Sequence, residues 1–174
     1  LLDARERSER RGDPGTFIES GLFAVSSVVP EDRDVNPADG KIVGFGRIDG
    51  REVAIVSNDF TVKGASSSLT NMKKIAHVKR VAAQRGLPFI LLGESSGARL
   101  PDTMGAWGMG MLLANDPTQY QRLRETPWMS AVLGQCYGSS AWYACMSDFV
   151  VMRKGAVMAV GSPQLASAAI GETV

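Results

Sequence analysis

Histidine and cysteine, the side chains most often used for nucleophilic or metal chemistry, are nearly missing: one and two in 174 residues. The two cysteines, Cys136 and Cys145, sit in an apolar stretch with no second cysteine or histidine at metal-ligand spacing, so no metal is expected. They read as buried free thiols of a reducing compartment, a disulfide or catalytic thiol being the other reading. Neither sign of charge dominates, with 19 Lys and Arg against 18 Asp and Glu. Nucleic-acid-binding domains are usually far more basic, so no nucleic acid is expected as partner. No apolar run approaches the ~20 residues of a membrane span, and no membrane association is expected. The charged start at residues 1–12 has no apolar signal-peptide core. Neither a phosphate loop of the G-x-x-x-x-G-K-[ST] type nor a G-x-S-x-G nucleophile elbow occurs.

An apolar share of 44% is enough for a core, and the length suits one domain. Glycine, at 19 residues, exceeds the usual ~7%. The chain starts at Leu1 and stops at Val174 without a closing element, and is expected to be part of something longer.

Residues 2–11 are helix-like and rich in Arg and Glu, and Asp13-Pro14-Gly15 stops them. A short extended piece, 16–19, leads to a loop at 29–40, read as surface. Strands are expected at 41–48 and 52–59 around an Asp49-Gly50 turn. A helix over 68–84 would be capped by Ser68 and ended by Gly86, with Leu69, Met72, Ile75, Val78 and Ala82 facing the core. Residues 88–93 form a buried-type strand, followed by a helix over 103–114. A strand at 130–136, a helix to about 146, strands at 149–152 and 156–160, and a helix opened by Ser162-Pro163 complete the order. Strands alternating with helices specify an α/β domain with a largely parallel sheet, and the strand–strand–helix repeat points to a spiral of ββα units. Residues 1–40 read as a helical arm and loop, and 41–174 as the ββα core.

Two strand-to-helix turns are alike. Leu91-Leu92-Gly93-Glu94-Ser95-Ser96-Gly97-Ala98 and Val132-Leu133-Gly134-Gln135-Cys136-Tyr137-Gly138-Ser139-Ser140 each run from an apolar strand into tiny residues. Tiny residues let a helix pack closely on a strand. They also let a ligand reach free backbone N–H groups, so two such turns could form an oxyanion hole for an enolate or tetrahedral oxyanion. His77, the one histidine, reads as a solvated helix residue, and no triad is marked. A hole without a side-chain base implies that substrate or cofactor supplies the base. Lys63, Lys73, Lys74, His77, Lys79 and Arg80 form either an exposed helix face or a mouth for a polyanion such as the phosphates of coenzyme A. The run Gly64-Ala65-Ser66-Ser67-Ser68 beside Lys63 would allow backbone approach there.

The segments Ala4-Arg5-Glu6-Arg7, Asp13-Pro14-Gly15-Thr16-Phe17, Asn58-Asp59-Phe60-Thr61-Val62-Lys63-Gly64, Glu94-Ser95-Ser96-Gly97-Ala98-Arg99 and Gly134-Gln135-Cys136-Tyr137-Gly138-Ser139 carry a family resemblance. The chain resembles the N-terminal half of the carboxyltransferase (β) subunit of biotin-dependent acyl-CoA carboxylases, of the propionyl-CoA carboxylase β type. That resemblance implies a crotonase-like (ClpP/crotonase) fold. It implies carboxyl transfer from carboxybiotin, borne on a partner carrier protein, to the α-carbon of a short or branched acyl-CoA. The implied oxyanion-hole positions are the backbone of Gly138 and Ser139, with Gly97 and Ala98. The implied coenzyme A positions are Lys63, Gly64, Ala65, Ser66 and Arg99. The implied partners are a biotin carboxylase and biotin carrier subunit, and a C-terminal carboxyltransferase half on the same or another chain. Hexamers are the family's form. A bacterial cytoplasm, or a mitochondrial matrix if eukaryotic, is the implied location.

The chain departs from the family where Ser96 and Ser139 replace common glycines and Ala65 another, and where Trp142 and Tyr143 are bulkier than usual. These departures keep two other readings in view. One is an acyl-CoA decarboxylase or biosynthetic acyl transferase using the same enolate hole. The other is a non-catalytic acyl-CoA-binding subunit.

Overall fold

The computed structural model describes residues 3–26, 28, 31, 34–103 and 125–172. Helix α1 (Ala4–Arg11) starts at a capping box: the Asp3 carboxylate accepts from the Glu6 N–H at 2.8 Å, and the Glu6 carboxylate accepts from the Asp3 N–H at 3.0 Å. Strand β1 (Ile18–Glu19) pairs antiparallel with β2 (Lys41–Ile48), which forms a hairpin with β3 (Arg51–Asn58). Both residues of the connecting turn, Asp49 and Gly50, take positive φ (49° and 75°), as a two-residue hairpin of this twist requires. Helix α2 (Leu69–Arg85) is capped reciprocally by Ser68 and Asn71 and ends at Gly86 in the left-handed region. Strand β4 (Phe89–Ser96), helix α3 (Leu100–Thr103), strand β5 (Trp128–Tyr137), helix α4 (Ser139–Cys145), strands β6 (Phe149–Met152) and β7 (Val157–Ala159), and helix α5 (Pro163–Ile170) follow.

Among the described residues the sheet has the order β1-β2-β3-β4-β5-β6, with β7 also on β5. From β3 onward every pairing is parallel. A register shift between Gly93 and Ser95 bends β5, so that 129–132 pair with β6 and 135–137 with β7. One long strand thus does the work of two, and among the described residues the ββα order is seen at β2-β3-α2 and β6-β7-α5. The core lies between α2 and the sheet, where Met72, Ile75, Val78 and Ala82 meet Val43, Val56, Phe89, Leu91 and Trp128. That is the stripe expected from helical spacing, except that Leu69 is only half-buried.

Three expectations change, and a fourth falls on residues that are not described. Strand β4 continues through Ser96, because Ser95 and Ser96 still pair with Cys136 and Tyr137. The end of the loop at 29–40 is not surface: Pro37–Gly40 is a 3-10 turn with Ala38, Asp39 and Gly40 buried. Cys145 is exposed, while Cys136 is buried. The helix expected at 103–114 lies almost wholly outside the described residues, which show helix at Leu100–Thr103.

Candidate active site

The parallel pairing of Ser96 with Tyr137 brings the ends of β4 and β5 level, so the two turns meet. Gly138 rests on Gly97. A Cβ on Gly138 would stand 3.3 Å from the Gly97 Cα and 3.9 Å from the Ala98 nitrogen, and its φ of 66° also disfavours a side chain. The four implied N–H groups are not equivalent. Gly138 N–H donates to the Val160 carbonyl (3.1 Å), and Gly97 N–H donates to Ser95 Oγ (3.1 Å). Ala98 N–H and Ser139 N–H make no hydrogen bond among the described residues. Ser139 begins α4, where the first N–H groups have no partner inside the helix.

The serines at glycine positions have places for their side chains. The Ser139 and Ser67 hydroxyls are hydrogen-bonded at 2.7 Å. Ser96 Oγ lies over Gly64, where a Cβ would come within 2.8 Å of it. Of the bulky pair on α4, Trp142 is 59% exposed, whereas Tyr143 belongs to the core, under the Lys79 ammonium at 4.2 Å from its ring centre.

Beside the hole, Lys63, Gly64 and Ala65 all have left-handed φ (45°, 59°, 49°), a conformation costing about 1 kcal/mol or more at each non-glycine position. Polar side chains beneath hold this turn. Lys41 Nζ donates to the Ala65 carbonyl at 2.7 Å, and Asn71 Nδ2 donates to the Ser66 carbonyl at 2.9 Å. Arg99 Nε donates to Ser66 Oγ at 3.1 Å. Ser67 N–H donates to the Gly97 carbonyl, and Arg99 N–H to the Ser67 carbonyl, both at 2.8 Å, which ties the turn to the Gly97 side of the hole. A second left-handed turn, Ala38-Asp39, is held by Lys74 Nζ, 2.8 Å from the Ala38 carbonyl. Asp39, fully buried, pairs with Arg99 at 2.5 Å and accepts from Ser68 Oγ.

The positions implied for coenzyme A therefore divide. Lys63 is exposed and Gly64 half-buried, but Ala65 and Ser66 are buried. Arg99, implied by the resemblance as a coenzyme A position, is 5% exposed and turned inward to Asp39, because a buried guanidinium needs a buried carboxylate. The basic cluster divides too: Lys73, His77 and Arg80 are exposed on α2, while Lys74 and Lys79 point inward. Burial lowers Lys41 and Lys79 from the ordinary 10.5 to about 7, and Lys74 to about 8. Burial raises the Cys136 thiol to about 11, which leaves it neutral and unsuited to be a nucleophile.

Sequence reasoning missed the underlying network of Asp39, Lys41, Lys74 and Asn71. One signal was present: Lys41 opens a strand otherwise patterned for burial. Among the described residues no three His, Cys, Asp or Glu side chains could hold a metal ion, and no helix is long and apolar enough to cross a membrane.

Residues 2–174 match the carboxyl transferase domain family. The methylmalonyl-CoA carboxyltransferase 12S subunit of Propionibacterium freudenreichii is 34% identical over 98% of this chain and 33% of its own length. The biotin-dependent 3-methylcrotonyl-coenzyme A carboxylase beta1 subunit of Mycobacterium tuberculosis is 36% identical over 98% of this chain and 32% of its own. The crystal structure of a transcarboxylase 12S hexamer with methylmalonyl-coenzyme A bound superposes with a TM-score of 0.85 at 31% identity, over 99% of this chain and 34% of that one. The chain thus spans about a third of the length of these relatives.

Proposed function

The chain belongs to the carboxyl transferase domain family, and on that premise we propose that it is the acyl-CoA-binding part of a carboxyltransferase acting on a short or branched acyl-CoA. Its α/β fold is the crotonase-like one of its structural neighbours. The observation that carries the reading is the meeting of Gly97-Ala98 with Gly138-Ser139, which leaves the Ala98 and Ser139 N–H groups unbonded beside each other's turns. In this reading those two groups, rather than all four, receive the thioester oxygen. Donors fixed before the reaction stabilise charge as it develops, so the oxygen can become an enolate and the α-proton can leave. Gly138 and Gly97 spend their own N–H groups on Val160 and Ser95, and so hold the hole's shape. Lys63 and Gly64 form the accessible part of the coenzyme A mouth, with Ala65, Ser66 and Arg99 supporting it from beneath.

Gly97 and Gly138 carry no side chain and Ala98 is exposed, which leaves the turns open to approach from outside. Carboxybiotin, brought on a partner carrier, would supply there the transferable carboxyl group and the basic nitrogen that the chain's own side chains do not offer. The wholly exposed strand β6 and the helix α5, which buries nothing, support completion by a C-terminal half on the same or another chain. A family-type oligomer and a cytoplasmic or matrix location go with this reading.

The test is carboxyl transfer in the completed assembly, with carboxylated carrier and a panel of acyl-CoA thioesters. Labelled carboxyl should appear on the α-carbon of one of them, and Gly138→Val should abolish this while the fold persists. No transfer to any thioester would overturn the reading. Release of CO2 from methylmalonyl-CoA without biotin would replace it with decarboxylation.

A further inference from the structure

A cavity of about 290 Å³ lies between α1 and the strands β4 and β5, and Gly97, Ala98, Gly138 and Ser139 are not among its lining residues. Its floor is Leu92 and Leu133, and its walls carry four guanidinium groups and one carboxylate. Helix α1 contributes Arg7, Arg10 and Arg11, whose i, i+3 and i+4 spacing places them on one face. Arg153 arrives from the far end of the chain, fixed after β6 by its N–H, which donates to the Val132 carbonyl at 2.9 Å.

The carboxylate does not balance these charges. Glu94 is committed to Arg7, at 2.8 Å, and is held over Gly134, where a Cβ would come within 2.7 Å of its Oε1. Arg10, Arg11 and Arg153 form no ion pair or side-chain hydrogen bond among the described residues. Basic residues at a helix C-terminus are favoured by its dipole, which accounts for Arg10 and Arg11 but not for the convergence of Arg153 on the same cavity. Neighbouring like charges repel, and a guanidinium fork matches phosphate and carboxylate oxygens two at a time.

We propose that this cavity binds a compact anion of two or more negative charges, of phosphate or carboxylate type, at a site separate from the acyl-CoA hole. The two chemistries are distinguished by using inorganic pyrophosphate and tricarballylate as probes. Calorimetric titration of the full 174-residue chain at low ionic strength should show saturable binding of at least one. The double variant Arg10→Gln/Arg153→Gln should weaken it at least about tenfold with an unchanged circular dichroism spectrum. Arg51→Gln, at an exposed position of β3, should leave it unchanged. Saturating coenzyme A should not displace the probe.

Four results would overturn the proposal. They are no binding of either probe up to about 10 mM, equal binding by the double variant, displacement by coenzyme A, or binding of an acidic peptide where both small anions fail. Displacement by coenzyme A would leave the acyl-CoA reading intact, and failed carboxyl transfer would leave the anion site intact.

Discussion

In the unit β2-β3-α2, Val43, Val56, Ile75 and Val78 are at most 2% exposed. In the unit β6-β7-α5, Phe149, Val151, Leu165 and Ile170 are between 51% and 65% exposed. The order of elements, strand–strand–helix, is the same in both, although β2 and β3 pair with each other whereas β6 and β7 each pair with β5. The difference is what lies opposite. Helix α2 has the face of β2 and β3 to pack on, and polar side chains below its first turn to satisfy the buried backbone. Helix α5 buries no residue. Apolar side chains contribute about 25 cal/mol per Å² only once water is removed, so the second unit contributes little to the stability of this chain alone. In the reading proposed above, this exposed apolar edge is where further structure would dock.

Breaking the network under the first unit should have the largest effect. Asp39→Ala leaves the Arg99 guanidinium buried without its partner, and should destabilise the chain by about 3–5 kcal/mol in urea unfolding. A loss under about 1 kcal/mol would mean that the pair does not hold the left-handed turns. Next, one truncation in each unit tests the contrast directly. Ile75→Ala should cost about 2–5 kcal/mol through the cavity it leaves, and Leu165→Ala less than about 0.5 kcal/mol. Equal costs would erase the difference between the units. In the completed assembly the cost of Leu165→Ala should rise.

The smallest effect is a pH dependence set chiefly by lysines of the first unit. Lys41, Lys74 and Lys79 release their protons at about 7 to 8 when folded but near 10.5 when unfolded. Between those values the unfolded chain binds more protons, so stability should rise with pH. Below about 7 these lysines contribute no slope. Cys136, raised from 9.0 to about 11, acts in the opposite sense and flattens the rise above pH 9. Thermal melts from pH 6 to 10 measure this, and Lys79→Met should reduce the slope. A stability that falls from pH 7 to 9 would refute the burial of these ammonium groups.

Much of the fold was legible because its signals are local. Ser68 as a cap, Gly86 as a stop, Asp49-Gly50 as a hairpin turn and the spacing of Met72, Ile75, Val78 and Ala82 each act within a few residues. The pair of tiny-residue turns was legible for the same reason. Whether they meet was not, because that depends on β4 and β5 being adjacent and in register. The inward turn of Arg99 was illegible as well, since its partner, Asp39, lies 60 residues earlier in the chain.

The sequence by itself determined where chain direction changes, which stripe of α2 is apolar, and which turns are stripped of side chains. These depend on backbone sterics and short-range periodicity. Tertiary structure alone decided which two of the four N–H groups stay free, which lysines lie inside, and which arginines converge on one cavity. Each of those outcomes needs partners from distant parts of the chain, and the cost of leaving a buried charge or N–H unpaired selects among them only once packing has brought the groups together.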